Sequence, residues 1–142
     1  MKFLVINGPN LNMTGKREPE IYGRETLDDI NAEIKAFAEE KGAQVDFYQS
    51  NHEGAIIDTI HASMGVYDGI VMNPGAYTHY SYAIRDAVSC INIPVVEVHI
   101  SDIHAREEFR KVSVIAPVCA KQIYGMGKKG YMVALEHLMN NK

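Results

Sequence analysis

Two side chains that could share a proton stand close together in an apolar part of the chain. They are Glu97 and His99, in the run 94–100, whose other residues are all apolar. In a β-strand this spacing puts both side chains on one face. A carboxylate beside an imidazole decides which ring nitrogen carries the proton and makes the ring more basic. The pair therefore predicts an acid–base group, although a buried histidine with a structural role would fit the same spacing.

The residues that follow this pair could bind an anion. Ile100 and Ser101 precede a predicted short polar helix, and backbone N–H groups at such a turn suit a carboxylate. Arg106 and Arg110 are four residues apart, so on a helix they would lie on one face. They could bind the same anion, or they could pair only with the two glutamates between them. The segment by itself leaves both alternatives open.

The pattern of apolar residues predicts alternating strands and helices. The predicted strands span 2–6, 43–48, 69–72, 94–100 and 112–116. Apolar stripes at 27–37, 56–64, 83–91 and 131–138 predict the helices, the first of them capped by Thr26 and ended by Gly42. Residues 8–25 show no apolar periodicity, and a loop of that length is more often functional, for example as a lid.

This alternation predicts an α/β fold in one catalytic domain over residues 1–142. The apolar strands fit a sheet that is buried on both faces. We therefore expect a flavodoxin-like, doubly wound, five-stranded parallel sheet with helices on both faces. Ligands of such sheets bind beyond the carboxyl ends of the strands. The segments that leave strands one, three and four, which read GPNLN, NPGAYTHYS and EVHISDIHAREEFR, should therefore form the site.

Composition narrows the possible functions. The 142 residues are 46% hydrophobic and 23% charged, and the formal net charge is −4, without the basic excess of a nucleic-acid binder. No apolar run is long enough for a signal or membrane segment, and Cys90 and Cys119 are interpreted as buried reduced thiols. These features predict a cytoplasmic protein. The histidines form no metal-binding motif, and no phosphate loop or dinucleotide fingerprint follows the first strand.

Six motifs occur in order along nearly the whole chain. They are INGPNLN at 6–12, REPEIYG at 17–23, QSNHEG at 49–54, NPGAYTH at 73–79, RDA at 85–87 and EVHISDIHAREEFR at 97–110. Together they resemble the motifs of the type II 3-dehydroquinate dehydratases, also called type II dehydroquinases. The resemblance implies a flavodoxin-like fold and an anti elimination of water from 3-dehydroquinate, giving 3-dehydroshikimate through an enolate in the shikimate pathway. It also implies a homododecamer built from trimers, and neither a metal nor another cofactor.

By this match, five residues would carry the chemistry. Tyr22 would be the base, and His99, supported by Glu97, would be the acid that protonates the departing hydroxyl. Arg17 would be a lid residue that promotes ionisation of Tyr22. Asn10 would hold the water molecule that stabilises the enolate.

The other matched residues would bind the substrate or close the site. Those expected to hold its hydroxyls and carboxylate, or to lie against it, are Asn73, Gly75, Ala76, His79, Ile100, Ser101 and Arg110. Arg106 would help to close the site, and Asp86 would act from a neighbouring subunit. Tyr80 and Tyr82 are bulkier than the family pattern expects, which puts the shape of the pocket or of the subunit contact in question.

The arginine and tyrosine of the REPEIYG motif make physical sense as a pair. A phenol with an ordinary pKa of about 10 is a poor base at neutral pH. A guanidinium about 4 Å away, at an effective dielectric of about 20, would favour the phenolate by roughly 4 kcal/mol. That would lower the pKa of Tyr22 towards neutrality, with desolvation acting in the opposite direction.

Two rival interpretations fit the sequence less well. A dehydratase that works through a lysine Schiff base needs a desolvated lysine, and none lies inside predicted strands two, three or four. A non-catalytic flavodoxin-like module would bind a flavin or receive a phosphoryl group. Its acidic residues or hydroxyl-rich loop would follow strand one, where this chain has Asn7-Gly8-Pro9-Asn10.

Overall fold

Five parallel strands form one sheet in the order β2-β1-β3-β4-β5. The structure, a computed structural model, describes residues 1–16 and 23–141. The strands are β1 (Lys2–Asn7), β2 (Gln44–Gln49), β3 (Gly69–Asn73), β4 (Val95–Val98) and β5 (Lys121–Ile123). The helices are α1 (Leu27–Glu40), α2 (Glu53–Ala62), α3 (Tyr82–Cys90) and α4 (Lys129–Asn140). The predicted flavodoxin-like, doubly wound α/β fold is confirmed.

Two hydrophobic cores cover the two faces of the sheet. Helices α1 and α4 pack on one face, where residues such as Ile34 and Leu135 contact alternate strand residues that include Val5 and Val71. Helices α2 and α3 pack on the other face, against Leu4, Ile6 and their neighbours. Successive strand residues point to opposite faces. Because a core covers each face, the residues that point to either face are apolar. This explains why β1, β3 and β4 read as nearly continuous apolar runs.

Local signals set the ends of the first helix. The Thr26 side chain accepts a hydrogen bond from the Asp29 backbone N–H, and the Asp29 carboxylate accepts one from the Thr26 N–H. This reciprocal capping box satisfies two N–H groups that the helix leaves free. Gly42 then ends the helix region with φ of +77°, a conformation that glycine adopts without strain.

The predicted fifth strand at 112–116 is wrong. The Ser113 hydroxyl accepts hydrogen bonds from the backbone N–H groups of Ile115 and Ala116, which curls this segment into a turn. Ile115 still joins the core that covers the α2 and α3 face. The edge position beside β4 is instead taken by β5, a three-residue strand with the sequence KQI.

The loops that follow β1 and β3 press against each other. Gly8 donates its backbone N–H to the Asn73 carbonyl at 2.8 Å. A Cβ on Gly8 would lie 2.6 Å from the Pro74 carbonyl oxygen, and a Cβ on Gly75 would lie 3.0 Å from the Pro9 carbonyl oxygen. Gly75 also has φ of +61°. Only glycine fits this double contact, which holds the two loops side by side.

Three further expectations meet the structure here. Cys90 is exposed and Cys119 is half-buried, so the expectation that both thiols are buried is wrong. No helix in the described ranges is both long and apolar enough to cross a bilayer. The predicted lid at 8–25 includes residues 17–22, which lie outside the described residues, and its first part contains one 3₁₀ turn at Leu11–Met13.

Candidate active site

A cavity of about 310 Å³ opens at the carboxyl ends of the strands. The loops after β1 and β3 form one wall of it. Among the predicted site residues, this wall contains Asn10, Asn73, Gly75, Ala76 and His79. The register explains their approach, because Asn7 and Asn73, the last residues of β1 and β3, are direct partners in the sheet.

The segment after β4 forms the opposite wall. Here the predicted residues that line the cavity are His99, Ile100, Ser101, Arg106 and Arg110. No hydrogen bond among the described residues uses the backbone N–H of Ile100 or Ser101. None of the described residues that line the cavity is acidic. This cavity therefore has the charge and the free donors to accept an anion.

Two predicted site residues in the described part of the chain do not line this cavity, and two others lie outside that part of the chain. Glu97 is fully buried behind His99. Asp86 is exposed on α3, away from the cavity of its own chain. Arg17 and Tyr22 lie outside the described residues.

The Glu97 carboxylate does not line the cavity, and it holds the His99 ring by a hydrogen bond. Its Oε2 lies 2.7 Å from His99 Nε2, and the side chains of His99 and Glu97 are 6% and 0% exposed. Gln122 Nε2 and the Ser113 hydroxyl each donate a further hydrogen bond of 2.7 Å to the same carboxylate. Burial by itself would raise the pKa of Glu97. The three hydrogen bonds outweigh burial and leave the pKa below its ordinary value.

This arrangement fixes the tautomer of His99. An ionised carboxylate only accepts hydrogen bonds, so Nε2 must carry the proton that points to Glu97. Nδ1 is then the ring nitrogen that remains for a ligand. When the ring carries both protons, Nδ1 is therefore the nitrogen that can donate one to a ligand.

The two ring nitrogens of His79 have the opposite roles to those of His99. Its Nδ1 lies 2.8 Å from the Val112 carbonyl oxygen, so Nδ1 carries the proton and Nε2 is an acceptor. Burial lowers the pKa of His79 and outweighs the raising effect of that hydrogen bond. The ring packs edge-on against Phe109, with 5.9 Å between centroids. A neutral imidazole that accepts at Nε2 suits a ligand hydroxyl.

Asn10 adopts a left-handed backbone conformation with φ of +69°, the one such non-glycine residue in the described ranges. Asn51 Oδ1 accepts the Asn10 backbone N–H at 2.9 Å, and Gln49 Nε2 donates to the same oxygen at 3.1 Å. Gln49 also donates to the Gly8 carbonyl. The QSNHEG segment therefore braces the loop that carries Asn10.

The two arginines do not share one helix, contrary to the prediction. Two separate 3₁₀ turns, Ile103–Ala105 and Glu108–Lys111, replace the predicted helix, with extended backbone at Arg106 between them. The segment has too few apolar residues to bury one helical face. Arg110 Nε pairs with Glu107 at 3.1 Å, and Arg106 Nη1 donates to the Ser101 hydroxyl at 3.4 Å. Both arginines still line the cavity, so pairing and facing an anion coexist.

Sequence reasoning missed the residues that hold the site residues in place. Ser113 and Gln122 bind Glu97, yet the first stood in a wrongly predicted strand and the second in no predicted element. Asn51 stood in a recognised motif without an assigned role. The signal that could have identified Asn51 is an amide side chain in a polar segment that follows a strand at the same edge of the sheet. No cluster of three His, Cys, Asp or Glu side chains within residues 1–16 and 23–141 could hold a metal ion.

Comparison with known proteins identifies the family. The family model described as "Dehydroquinase class II" matches residues 1–139. This chain belongs to the class II dehydroquinase family. The matched range includes residues 17–22, which carry Arg17 and Tyr22.

Individual class II dehydroquinases are similar over nearly their whole length. The 3-dehydroquinate dehydratase of Bacillus subtilis is 57% identical over 140 residues, which cover 99% of this chain and 95% of that protein. A crystal structure of a type II dehydroquinase from Butyrivibrio crossotus is 55% identical, with a TM-score of 0.94, and covers 98% of this chain and 97% of the other. The type II dehydroquinase from Propionibacterium acnes is 42% identical, with a TM-score of 0.93 and coverage of 99% and 97%.

Proposed function

We propose that this chain catalyses the dehydration of 3-dehydroquinate to 3-dehydroshikimate. The reaction is an anti elimination of water through an enolate, a step of the shikimate pathway, in one domain with a lid at about 8–25. Membership of the class II dehydroquinase family supports this function. The observation that carries it is a cavity free of described acidic groups in which a carboxylate-paired His99 faces Asn73 and two arginines.

The substrate is an anion with several hydroxyls, and the cavity offers matching partners. Its carboxylate is bound by the free backbone N–H groups of Ile100 and Ser101, with Arg110 supplying positive charge. His79 Nε2 accepts a substrate hydroxyl, and Asn73 binds another. Gly75 and Ala76 complete the surface on which the ring lies, and Arg106 closes it.

His99 is the general acid. A leaving hydroxyl must gain a proton, and His99 Nδ1 is the nitrogen that is free to give one when the ring is an imidazolium. The buried Glu97 carboxylate bonds Nε2 and keeps the ring from rotating, so that Nδ1 stays available for this transfer. Glu97 and His99 are 0% and 5% exposed, so the hydrogen bond between them is shielded from bulk solvent.

Tyr22 is the base and Arg17 lowers its pKa, as their motif implies, although both lie outside the described residues. The proton removed lies beside the ketone, so charge moves to the ketone oxygen and needs a prepositioned donor. Asn10, held by Asn51, stands on the cavity wall where it can bind a water molecule for that purpose. Neither a metal nor a cofactor takes part.

The working enzyme is a cytoplasmic homododecamer built from trimers. Asp86 is exposed on α3 and does not reach the cavity of its own chain, which suits a role in the cavity of a neighbouring subunit. The exposed rings of Tyr80 and Tyr82 are close to Asp86 in sequence, since Tyr82 begins the same helix and Tyr80 lies two residues before it.

The direct test is turnover of 3-dehydroquinate in the presence of a chelator. The conjugated product absorbs in the ultraviolet, so absorbance should rise with unchanged rate when the chelator is added. Borohydride should not inactivate the enzyme in the presence of substrate, since no described lysine lines the cavity for a Schiff base. No absorbance change with the purified chain would reject the function.

The base is tested separately. A Tyr22→Phe variant should bind substrate and turn it over at no more than a few per cent of the wild-type rate, and Arg17→Met should raise the apparent basic pKa of the rate profile. Turnover above a few per cent in Tyr22→Phe would reject the base assignment.

Asp86→Ala should raise KM if trimers complete the site, and a fully active monomer would reject that role.

A further inference from the structure

The hydroxyl of Tyr131 links the ends of two strands beneath the cavity. Tyr131 lies in the first turn of α4 and is completely buried, and it does not line the cavity. Its hydroxyl donates to Asn7 Oδ1 at 2.6 Å. It accepts a hydrogen bond from Asn73 Nδ2 at 3.2 Å. Asn73 does line the cavity, so this buried hydroxyl lies one hydrogen bond away from the site.

Sheet register brings the three groups together. Asn7 and Asn73 are direct partners in the parallel strands β1 and β3, and parallel partners send their side chains to the same face. That face is the one on which α4 packs. The two amides are 1% and 4% exposed. At such burial each polar atom needs a partner, which makes the connection specific.

The chemistry of a phenol decides which end of the Asn73 amide points where. A phenol has a single proton, and here it is used on Asn7. Burial raises the pKa of Tyr131 to about 12, so the hydroxyl keeps this proton at every working pH. The hydroxyl can then only accept from Asn73, which requires Nδ2 rather than Oδ1 to face it.

The other side of the amide agrees with this orientation. Asn73 Oδ1 accepts the backbone N–H of Gly75 at 3.2 Å. One N–H of Nδ2 is used on Tyr131, and no hydrogen bond among the described residues uses the second. The amide is thus held by two independent bonds, with one donor left for a ligand.

From this geometry we infer that Tyr131 is a positioning residue for substrate recognition. Its hydroxyl holds Asn73 so that an N–H donor, and not the amide oxygen, faces a substrate hydroxyl in the cavity. The inference rests on the proposed function, because it names a hydroxyl of 3-dehydroquinate as the group that Asn73 binds.

The test is the kinetics of Tyr131→Phe, which deletes one oxygen atom. We expect kcat/KM for 3-dehydroquinate to fall roughly ten- to hundredfold, mainly through KM, because a recognition contact is misplaced. Tyr67→Phe is the matched control, since it deletes a phenol oxygen bonded to Asp46 at 2.6 Å outside this cavity. It should keep wild-type kinetics.

A double-mutant cycle separates positioning from simple support of the fold. Once Asn73 is replaced in Asn73→Ala, adding Tyr131→Phe should cost no further kcat/KM, because its effect passes through the amide. Equal losses in both backgrounds would overturn the inference. Wild-type kinetics in Tyr131→Phe would overturn it as well, even if the melting temperature falls.

Asn7→Leu is a second variant, which leaves the Asn73 side chain and the Tyr131 hydroxyl themselves in place. It removes the acceptor of the Tyr131 proton. The phenol O–H then turns towards Asn73, where it favours the amide oxygen Oδ1 over the Nδ2 donor. A rise in KM of similar size to that of Tyr131→Phe is expected, and an unchanged KM would overturn the inference. An inactive wild type would overturn the proposed function together with this role, whereas an active wild type with unaffected variants would overturn the role alone.

Discussion

The polar groups at the cavity are held in two different ways. At the strand ends, His99 and Asn73 are buried, and each is fixed by bonds to further buried groups. In the 3₁₀ turns after β4, the side chains of Arg110 and Glu107 are 24% and 59% exposed and bond mainly to each other. Folding sets the geometry of the strand-end groups, whereas the groups of the turns act through charge. Substitutions should therefore separate the two sets of groups by what they damage.

The largest effect is expected among the strand-end groups, from Glu97→Gln. The variant has the same shape but places no negative charge beside His99 during proton transfer, so kcat should fall about 10²- to 10⁴-fold. The amide has one oxygen where the carboxylate has two, so at least one of the three donors would meet its NH2 group, and the free energy of unfolding should fall by about 1–3 kcal/mol. Steady-state kinetics and urea denaturation measure both. A variant with wild-type kcat would show that the pair is only structural.

The same carboxylate should make stability depend on pH. The folded-state pKa of Glu97 is below the ordinary value of 4.5, because its hydrogen bonds outweigh burial. Such a group stabilises the fold at pH above its unfolded pKa, and this contribution is lost as the pH falls through the folded pKa.

Urea unfolding of the wild type and Glu97→Gln should be compared from about pH 6 down to about pH 3. The wild type should lose stability more steeply than the variant below pH 4.5, the ordinary pKa of this carboxyl. Parallel curves would mean that Glu97 does not carry this dependence.

In the 3₁₀ turns, Arg110→Met should damage binding and spare the fold. Loss of a charged donor to the substrate carboxylate should raise KM about ten- to hundredfold. The free energy of unfolding should change little, because the Arg110–Glu107 pair is partly exposed to solvent, which screens its charges. Lys111→Met is the control, since Lys111 pairs with Glu108 in the same turn and does not line the cavity. If both variants raised KM equally, the effect would be general charge and not a contact.

The smallest effect is expected from Ser101→Ala. Its hydroxyl accepts only a long 3.4 Å bond from Arg106, and its backbone N–H, which we assign to the substrate, remains. KM should therefore rise only about two- to tenfold. A loss as large as that of Arg110→Met would move the main recognition from the backbone to the hydroxyl.

The fold was predictable from sequence wherever burial on both faces left long apolar runs. Strands β1, β3 and β4 have such runs, β2 alternates, and the four helices α1 to α4 of the described ranges have apolar stripes at helical spacing. The doubly wound order is confirmed. Strand β5 is a three-residue edge element with two polar residues, so no pattern marked it. The segment 112–116 has the composition of a strand, and the Ser113 hydroxyl turns it away from the sheet.

For the site, the strand-end rule selected residues that do meet at one cavity. Spacing also predicted the contact between Glu97 and His99, because alternation in a strand is a local property. Groups that come from distant parts of the chain, such as Gln122 and Tyr131, carry no such local signal. Their contribution depends on which elements become neighbours, and that is known only from the structure.

The tight contact between Gly8 and Pro74, matched by that between Pro9 and Gly75, has a consequence for redesign. The loops that carry Asn10 and Asn73 pack so tightly against each other that neither can shift without moving the other. A longer or bulkier insertion in either loop would displace the other, so the cavity cannot be widened from one side. Engineering this enzyme for a larger ring would require both loops to be rebuilt as a matched pair.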